Sequence, residues 1–167
     1  VIYMRYAQLR RYDISNGPNI RATLFVSGCT HNCKGCFNKD YQDFNYGKEW
    51  TSITETLFLC YAKDPKVKGI NILGGEPLQQ TMDNSLADLL AKIKENTNKP
   101  IWLWTGYKLE DVINNTKVMN ILQYVDVLID GKFEEDKKDL NLMYRGSANQ
   151  RIINLTKTFE KGEIVLL

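Results

Sequence analysis

Residues 28 to 38 read GCTHNCKGCFN and hold three of the chain's four cysteines, Cys29, Cys33 and Cys36, in a C-x3-C-x2-C spacing. Thiolates this close on one loop can each take a different iron of a cubane cluster. A structural zinc ion wants four ligands, commonly from two paired knuckles. His31 is a possible fourth zinc donor, but one residue separates it from Cys29 and one from Cys33, so four donors would crowd a tetrahedral site. Cys60 is the other possible ligand. The helical pattern around it places it on an apolar face, where a thiol behaves as a small hydrophobe. The spacing therefore points to an iron-sulfur cluster. The competing possibility is a non-enzymatic zinc module through Cys29, His31, Cys33 and Cys36, which metal analysis separates. Lys34 and His31 would favour thiolates by charge or hydrogen bonding, although His31 can equally orient the loop or sit in solvent.

The elements that must position this loop follow from hydrophobic periodicity. RATLFVS (21 to 27) reads as a first strand leading straight into the cysteines. SITETLFLCYAKD opens with Ser52 and Glu55 at capping-box spacing and puts Ile53, Leu57, Cys60 and Tyr61 on one helical face. KGINIL (68 to 73) is a second strand, and residues 82 to 96 carry Leu86, Leu89, Leu90 and Ile93 at helical spacing. After Pro100, IWLW is apolar at every position, as in a strand buried on both faces. Two helical pieces follow, one with Leu109, Val112 and Ile113 and one with Ile121 and Leu122. VDVLI (125 to 129) is a fourth strand; IINL and EIVLL read as one or two last strands.

Strands alternating with helices imply βαβ units and a mostly parallel sheet, hence an α/β protein. Across 167 residues there is no repeat, Pro-rich stretch or linker, so one domain over 1–167 is expected. A full eight-unit barrel rarely fits in fewer than about 200 residues. An open, incomplete (partial) βα barrel or a doubly wound sheet is expected instead. In either, ligands bind at the carboxyl ends of the strands. Four successive strands here end in the cysteine loop, GGEP, TGY and DGK. One site built from four loops is expected.

Composition adds exclusions. Net charge is +2 with pI near 8.3, which gives no field to attract nucleic acid or anionic lipid. No apolar segment follows VIYMRYAQLR, and the wholly apolar run LFLCYA is far too short to span a bilayer. A cytoplasmic protein is expected, without membrane or nucleic-acid partners. In a reducing cytosol clustered cysteines serve metals or catalysis more often than disulfides.

The cysteine loop resembles that of the radical S-adenosylmethionine enzymes, and Gly74, Gly75, Glu76 and Pro77 match their GGEP. NGPNIRATLFVSGC, GCTHNCKGCFN, WTGY, DVLIDGKF and RGSANQR together resemble the small glycyl-radical activases, most closely those serving the anaerobic ribonucleotide reductase. The likeness spans roughly residues 10 to 153. It implies a partial barrel of the radical SAM type and a 4Fe-4S cluster on Cys29, Cys33 and Cys36, with one iron open to S-adenosylmethionine. It also implies backbone carbonyls of GGEP on the cofactor's ammonium group, with Asp130 and Lys132 near its methionine end. From their places at the loop and at the end of a strand, Gly35, Asn38 and Thr105 are candidate cofactor-binding residues, Asn38 equally a candidate for supporting or substrate contacts. Gly35 replaces an aromatic residue common in the wider superfamily and is shared by the reductase activases. Asn149, Gln150 and Arg151 are candidates for supporting or substrate contacts, while Trp104 and Tyr107 fit core or rim.

The implied activity is reductive cleavage of S-adenosylmethionine by the catalytic cysteine-held cluster, with glycyl-radical installation on the anaerobic ribonucleoside-triphosphate reductase. An external electron donor such as a flavodoxin or ferredoxin-like protein is implied too. The alternative enzymatic possibilities are activation of another glycyl-radical enzyme, such as pyruvate formate-lyase, or modification of a small metabolite.

Overall fold

The computed structural model describes residues 3–167. Its strands are β1 (Arg5–Asp13), β2 (Arg21–Val26), β3 (Lys48–Glu49), β4 (Gly69–Gly74), β5 (Ile101–Trp104), β6 (Val127–Asp130) and β7 (Arg151–Asn154). The helices are α1 (Ser52–Lys63), α2 (Ser85–Asn96), α3 (Leu109–Val112), α4 (Thr116–Leu122) and α5 (Leu155–Lys161). One open sheet has the order β3-β1-β2-β4-β5-β6-β7. The four central strands β2, β4, β5 and β6 are parallel, whereas β1, β3 and β7 pair antiparallel on the flanks. The fold is thus α/β with a mixed sheet, and the four expected parallel strands are its centre.

Alternate residues of these strands serve different ends. Ala22, Leu24, Val26, Ile70, Ile72, Ile101, Leu103 and Leu128 form one core with Phe58 and Ala62 of α1, Leu86, Leu89, Leu90 and Ile93 of α2, and Val118, Ile121 and Leu122 of α4. The residues between them face the other way. There Trp102, Val127 and Ile129 pack with Trp104, Tyr144 and Ile152, and the neighbouring strands place polar groups on that side.

Those polar groups are buried, so each needs a partner. Arg21 Nε donates to Asn71 Oδ1 at 2.6 Å, and its guanidinium lies 5.0 Å from the Trp102 ring centroid. Thr23 Oγ1 donates to Asp13 Oδ2 at 2.7 Å, joining β2 to the end of β1. Burial lowers the Arg21 pKa to about 10, which still leaves it charged at neutral pH.

Two sequence expectations need correction. Thr51, not Ser52, caps α1, its Oγ1 accepting the Thr54 N–H at 3.2 Å. Glu55 closes no capping box and reaches instead to Lys92 of α2, at 2.5 Å. The helix is also turned by about one residue from the expected face. Phe58 and Ala62 are buried, whereas Ile53 is 80% exposed and Cys60 is exposed. Phe58 decides the rotation by packing against Trp50, with ring centroids 6.5 Å apart. At the end of the chain, EIVLL contributes only a single bridge, Leu166 to Ile153, rather than a strand. Among the described residues no helix is long and apolar enough to cross a membrane.

Phe58→Ala should therefore cost about 3–5 kcal/mol in urea unfolding, the usual range for emptying a buried aromatic site. Cys60→Ser should stay within about 0.5 kcal/mol, as exposed substitutions do. A large loss from the serine variant would restore Cys60 to the core.

Candidate functional site

The carboxyl ends of β2, β4, β5 and β6 converge as their residue types suggested, and one buried side chain joins three of them. Glu76, 1% exposed, follows β4. Its Oε2 accepts the Leu78 N–H at 3.0 Å and the Thr105 hydroxyl at 2.8 Å. Its Oε1 accepts the Gly106 N–H at 2.7 Å and lies 2.7 Å from His31 Nε2. A carboxylate only accepts, so His31 carries its proton on Nε2.

A second set of bonds runs alongside. The Thr30 N–H donates to Gln79 Oε1 at 3.0 Å, while Gln79 Nε2 donates to Thr30 Oγ1 at 2.7 Å and to Tyr107 Oη at 2.9 Å. Gln80 Nε2 donates to the Gly28 carbonyl at 3.1 Å. The cysteine loop is therefore stitched to GGEPLQQ and TGY by side chains of both turns.

The two glycines of GGEP are required by the packing of the backbone itself. A Cβ on Gly75 would lie 2.6 Å from the carbonyl oxygens of both Gly28 and Tyr41. One on Gly74, whose φ is +112°, would lie 2.5 Å from the Val26 oxygen. The two glycines let the β4 turn press against the start of the cysteine loop, as the Gly75 N–H to Val26 O and Glu76 N–H to Gly28 O bonds require, both 2.8 Å.

Inside this frame lies a cavity of about 470 Å³. Cys29, Cys33, Cys36 and Asn38 line it together with Gly74, Gly75, Glu76 and Thr105. Gly35, Pro77, Asp130 and Lys132 are not on its wall. Gly35, at φ +73°, packs beside Glu135, and Pro77 begins a short 3-10 turn. Asp130 is buried under Arg151, which donates from Nε at 2.9 Å and Nη2 at 2.6 Å, and it also accepts the Leu109 N–H at 2.9 Å. Lys132 is exposed, and its charge acts on Cys33. Asn149 Nδ2 donates to the Lys132 carbonyl and Gln150 Nε2 to the Gly131 carbonyl, so RGSANQR shapes the DGK turn. Trp104 is on the wall and Tyr107 behind it.

Sequence reasoning did not foresee three participants. Gly106 leaves room for the His31 ring, Phe133 presents its backbone amide to Cys33, and Arg10 of β1 reaches the far wall. Only the glycine of TGY carried a signal for the first of these.

A scan of family models matches residues 15–153 to the 4Fe-4S single cluster domain. The anaerobic ribonucleoside-triphosphate reductase-activating protein of Pasteurella multocida is 44% identical over 157 residues, covering 92% of this chain and 99% of the relative. That of Escherichia coli K12 is 41% identical over 155 residues, covering 91% and 99%. The protein of the same name from Enterobacteria phage T4 is 37% identical over 150 residues, covering 89% and 93%. The chain belongs to this family of reductase-activating proteins.

The three thiols suit the cluster after which the activating proteins' domain model is named. Among the described residues no three His, Cys, Asp or Glu side chains gather around one ion-sized point. A single zinc ion needs that, whereas a cubane takes each sulfur at a separate iron. Burial pushes the Cys29 thiol up to about 11, with Glu76 and the neighbouring thiols adding to it and the His31 backbone amide opposing. Burial and then Cys36 raise Cys33, against the Phe133 amide and Lys132. Such thiols become thiolates readily only for a group that brings positive charge.

In the cluster-free protein Cys60 should react first with iodoacetamide because it is exposed. Cys29 should react slowly, with a rate still climbing as pH passes 9 toward its value of about 11. Peptide mapping after timed alkylation reads both; a Cys29 rate that levels off below pH 9 would contradict the geometry.

Proposed function

We propose that this chain is a glycyl-radical activating enzyme of the radical S-adenosylmethionine class, acting on an anaerobic ribonucleoside-triphosphate reductase. The observation that carries it is the sharing of one cavity wall by three cysteines and the GGEP and TGY turns. A pocket of several hundred Å³ is the size that takes a nucleoside-sized cofactor. The parallel centre of the sheet corresponds, on this view, to the partial barrel of that superfamily.

Cys29, Cys33 and Cys36 would hold a 4Fe-4S cluster, leaving one iron for the amino and carboxylate groups of S-adenosylmethionine. When bound, the cluster and S-adenosylmethionine together would supply one-electron reductive cleavage of the sulfonium, and with it the hydrogen abstraction that makes a glycyl radical on the reductase. The chain supplies position and shelter. Gly74, Gly75, Glu76 and Pro77 would present backbone carbonyls to the cofactor's ammonium, while the Glu76 side chain is already committed to the frame. Lys132 would swing from solvent to the cofactor's carboxylate. Asp130, held by Arg151, would fix the turn from which Lys132 projects. Asn38 and Thr105 would bound the cofactor pocket, and Gly35 would let the loop turn before Cys36. An external flavodoxin or ferredoxin-like protein would deliver the electron.

After anaerobic reconstitution with iron and sulfide, chemical reduction and addition of S-adenosylmethionine, the protein should release 5'-deoxyadenosine. With the reductase present, a glycyl radical should appear by electron paramagnetic resonance. Replacing Cys29, Cys33 and Cys36 together by alanine should abolish cluster content and both products. Radical formation by that triple variant would end the proposal.

A further inference from the structure

His31 lies between two of the cysteines in sequence, and its side chain is tied to the turn after β4. It is 6% exposed and bound through Nε2 to Glu76. Its ring meets the Tyr107 ring edge-on, with centroids 4.6 Å apart. It also fills the space over Gly106, where a Cβ would come within 2.6 Å of Cδ2 and 2.8 Å of Nε2. The next residue, Asn32, has φ +51°, a left-handed conformation that reverses the chain toward Cys33. The loop is thus anchored at His31 and bent at the position immediately after it.

A buried polar pair of this kind is a poor device for stability alone, since an apolar pair of equal volume commonly does as well or better. What the pair supplies is a fixed distance. The Glu76 oxygen that receives His31 also receives the Gly106 N–H, so one atom sets the cysteine loop against the β5 turn.

We propose that His31 is a positioning residue, bracing the Cys29 end of the loop at the separation from the GGEP and TGY turns that a ligand spanning both must find. This rests on the proposed function for the identity of that ligand, S-adenosylmethionine on a loop-held cluster. The brace itself is a property of the polypeptide. Because the backbone amide of His31 acts on the Cys29 sulfur, the brace also fixes a dipole beside one ligand. Dipoles and hydrogen bonds at cluster sulfurs tune the reduction potential, and partners behind ligands commonly change affinity or activity about 10–100-fold.

The test uses His31→Leu, His31→Gln, Gly106→Ala and the double variant His31→Leu/Gly106→Ala. Leucine keeps the volume and loses the bond, and glutamine keeps a donor for Glu76. The alanine at 106 displaces the ring while His31 and Glu76 themselves stay unchanged in sequence. Hydrogen exchange over 29–37 and 76–79 in cluster-free protein should speed up in His31→Leu and Gly106→Ala and stay near wild type in His31→Gln. In reconstituted protein, iron and sulfide should remain at the wild-type ratio. S-adenosylmethionine, titrated by the change in the reduced-cluster spectrum, should bind about tenfold more weakly in the first two variants. The potential should fall in both. The double variant should lose less than the sum of the two single changes, since both act by breaking the same His31–Glu76 bond. Wild-type exchange in His31→Leu, or a Gly106→Ala effect that adds in full to it, would overturn the brace. If the wild-type protein itself gives no response to S-adenosylmethionine, the proposed function fails, while the exchange comparison still decides the role of His31.

Discussion

The site depends on a carboxylate that water does not reach. Glu76 is a charged acceptor at 1% exposure, and an unpaired charge in that position would cost several kcal/mol. The fold can therefore tolerate it only with donors already assembled around it. Those donors come from the cysteine loop, from the turn after β4 and from the turn after β5, which are far apart in the chain. Satisfying one side chain thus brings the ends of three neighbouring parallel strands into a single arrangement. The close approach has its own requirement: Gly74, Gly75 and Gly106 stand where any side chain would strike a carbonyl or the His31 ring.

The fourth strand end is secured separately. Asp130 is held by both ends of the Arg151 fork and by the first N–H of α3, while Arg151 reaches on to Glu110 at 2.6 Å. Buried as it is, the carboxylate thus has three donors, two from the fork and one from the helix. Gln150 then ties the segment before β7 to the Gly131 carbonyl and, through Oε1, to the Gly146 and Ser147 amides. The antiparallel strand β7 is therefore more than an edge. Its first residue, Arg151, and the segment just before it hold the DGK turn.

How far all this was legible depends on whether the information was local. Strands β2, β4, β5 and β6 were visible because each is a short apolar run closed by turn residues, and their alternation with helices implied a shared end. Strand β1 was not, because RYAQLRRYD is mostly half-exposed and charged and offers no clean alternation. The α5 helix had signals that went unread, Asn154 capping the Lys157 N–H and Gly162 ending the helix at φ +71°. The rotation of α1 was beyond periodicity, since Ile53, Leu57 and Cys60 make as good a stripe as Phe58 and Ala62; Trp50 chose between them. At the site, the cysteines announced themselves by spacing. The bond between His31 and Glu76 joins residues 45 positions apart and has no local trace.

The electrostatics around the sulfurs extend the same logic. With neutral thiols, the His31 and Phe133 amides and the Lys132 charge face groups that need little from them. Once the thiols become thiolates on a cationic centre, each of those dipoles and charges acquires a counterpart, and the penalty of burial is offset by metal–sulfur bonding. The loop has no helix or strand of its own between Val26 and the 3-10 turn at Lys39–Gln42, so its shape comes from Gln79, Glu76 and Gln80 on one side and from whatever the thiols bind on the other. The bonds of Gln79, Glu76 and Gln80 are all made within the polypeptide, and the three thiols line the cavity beside them.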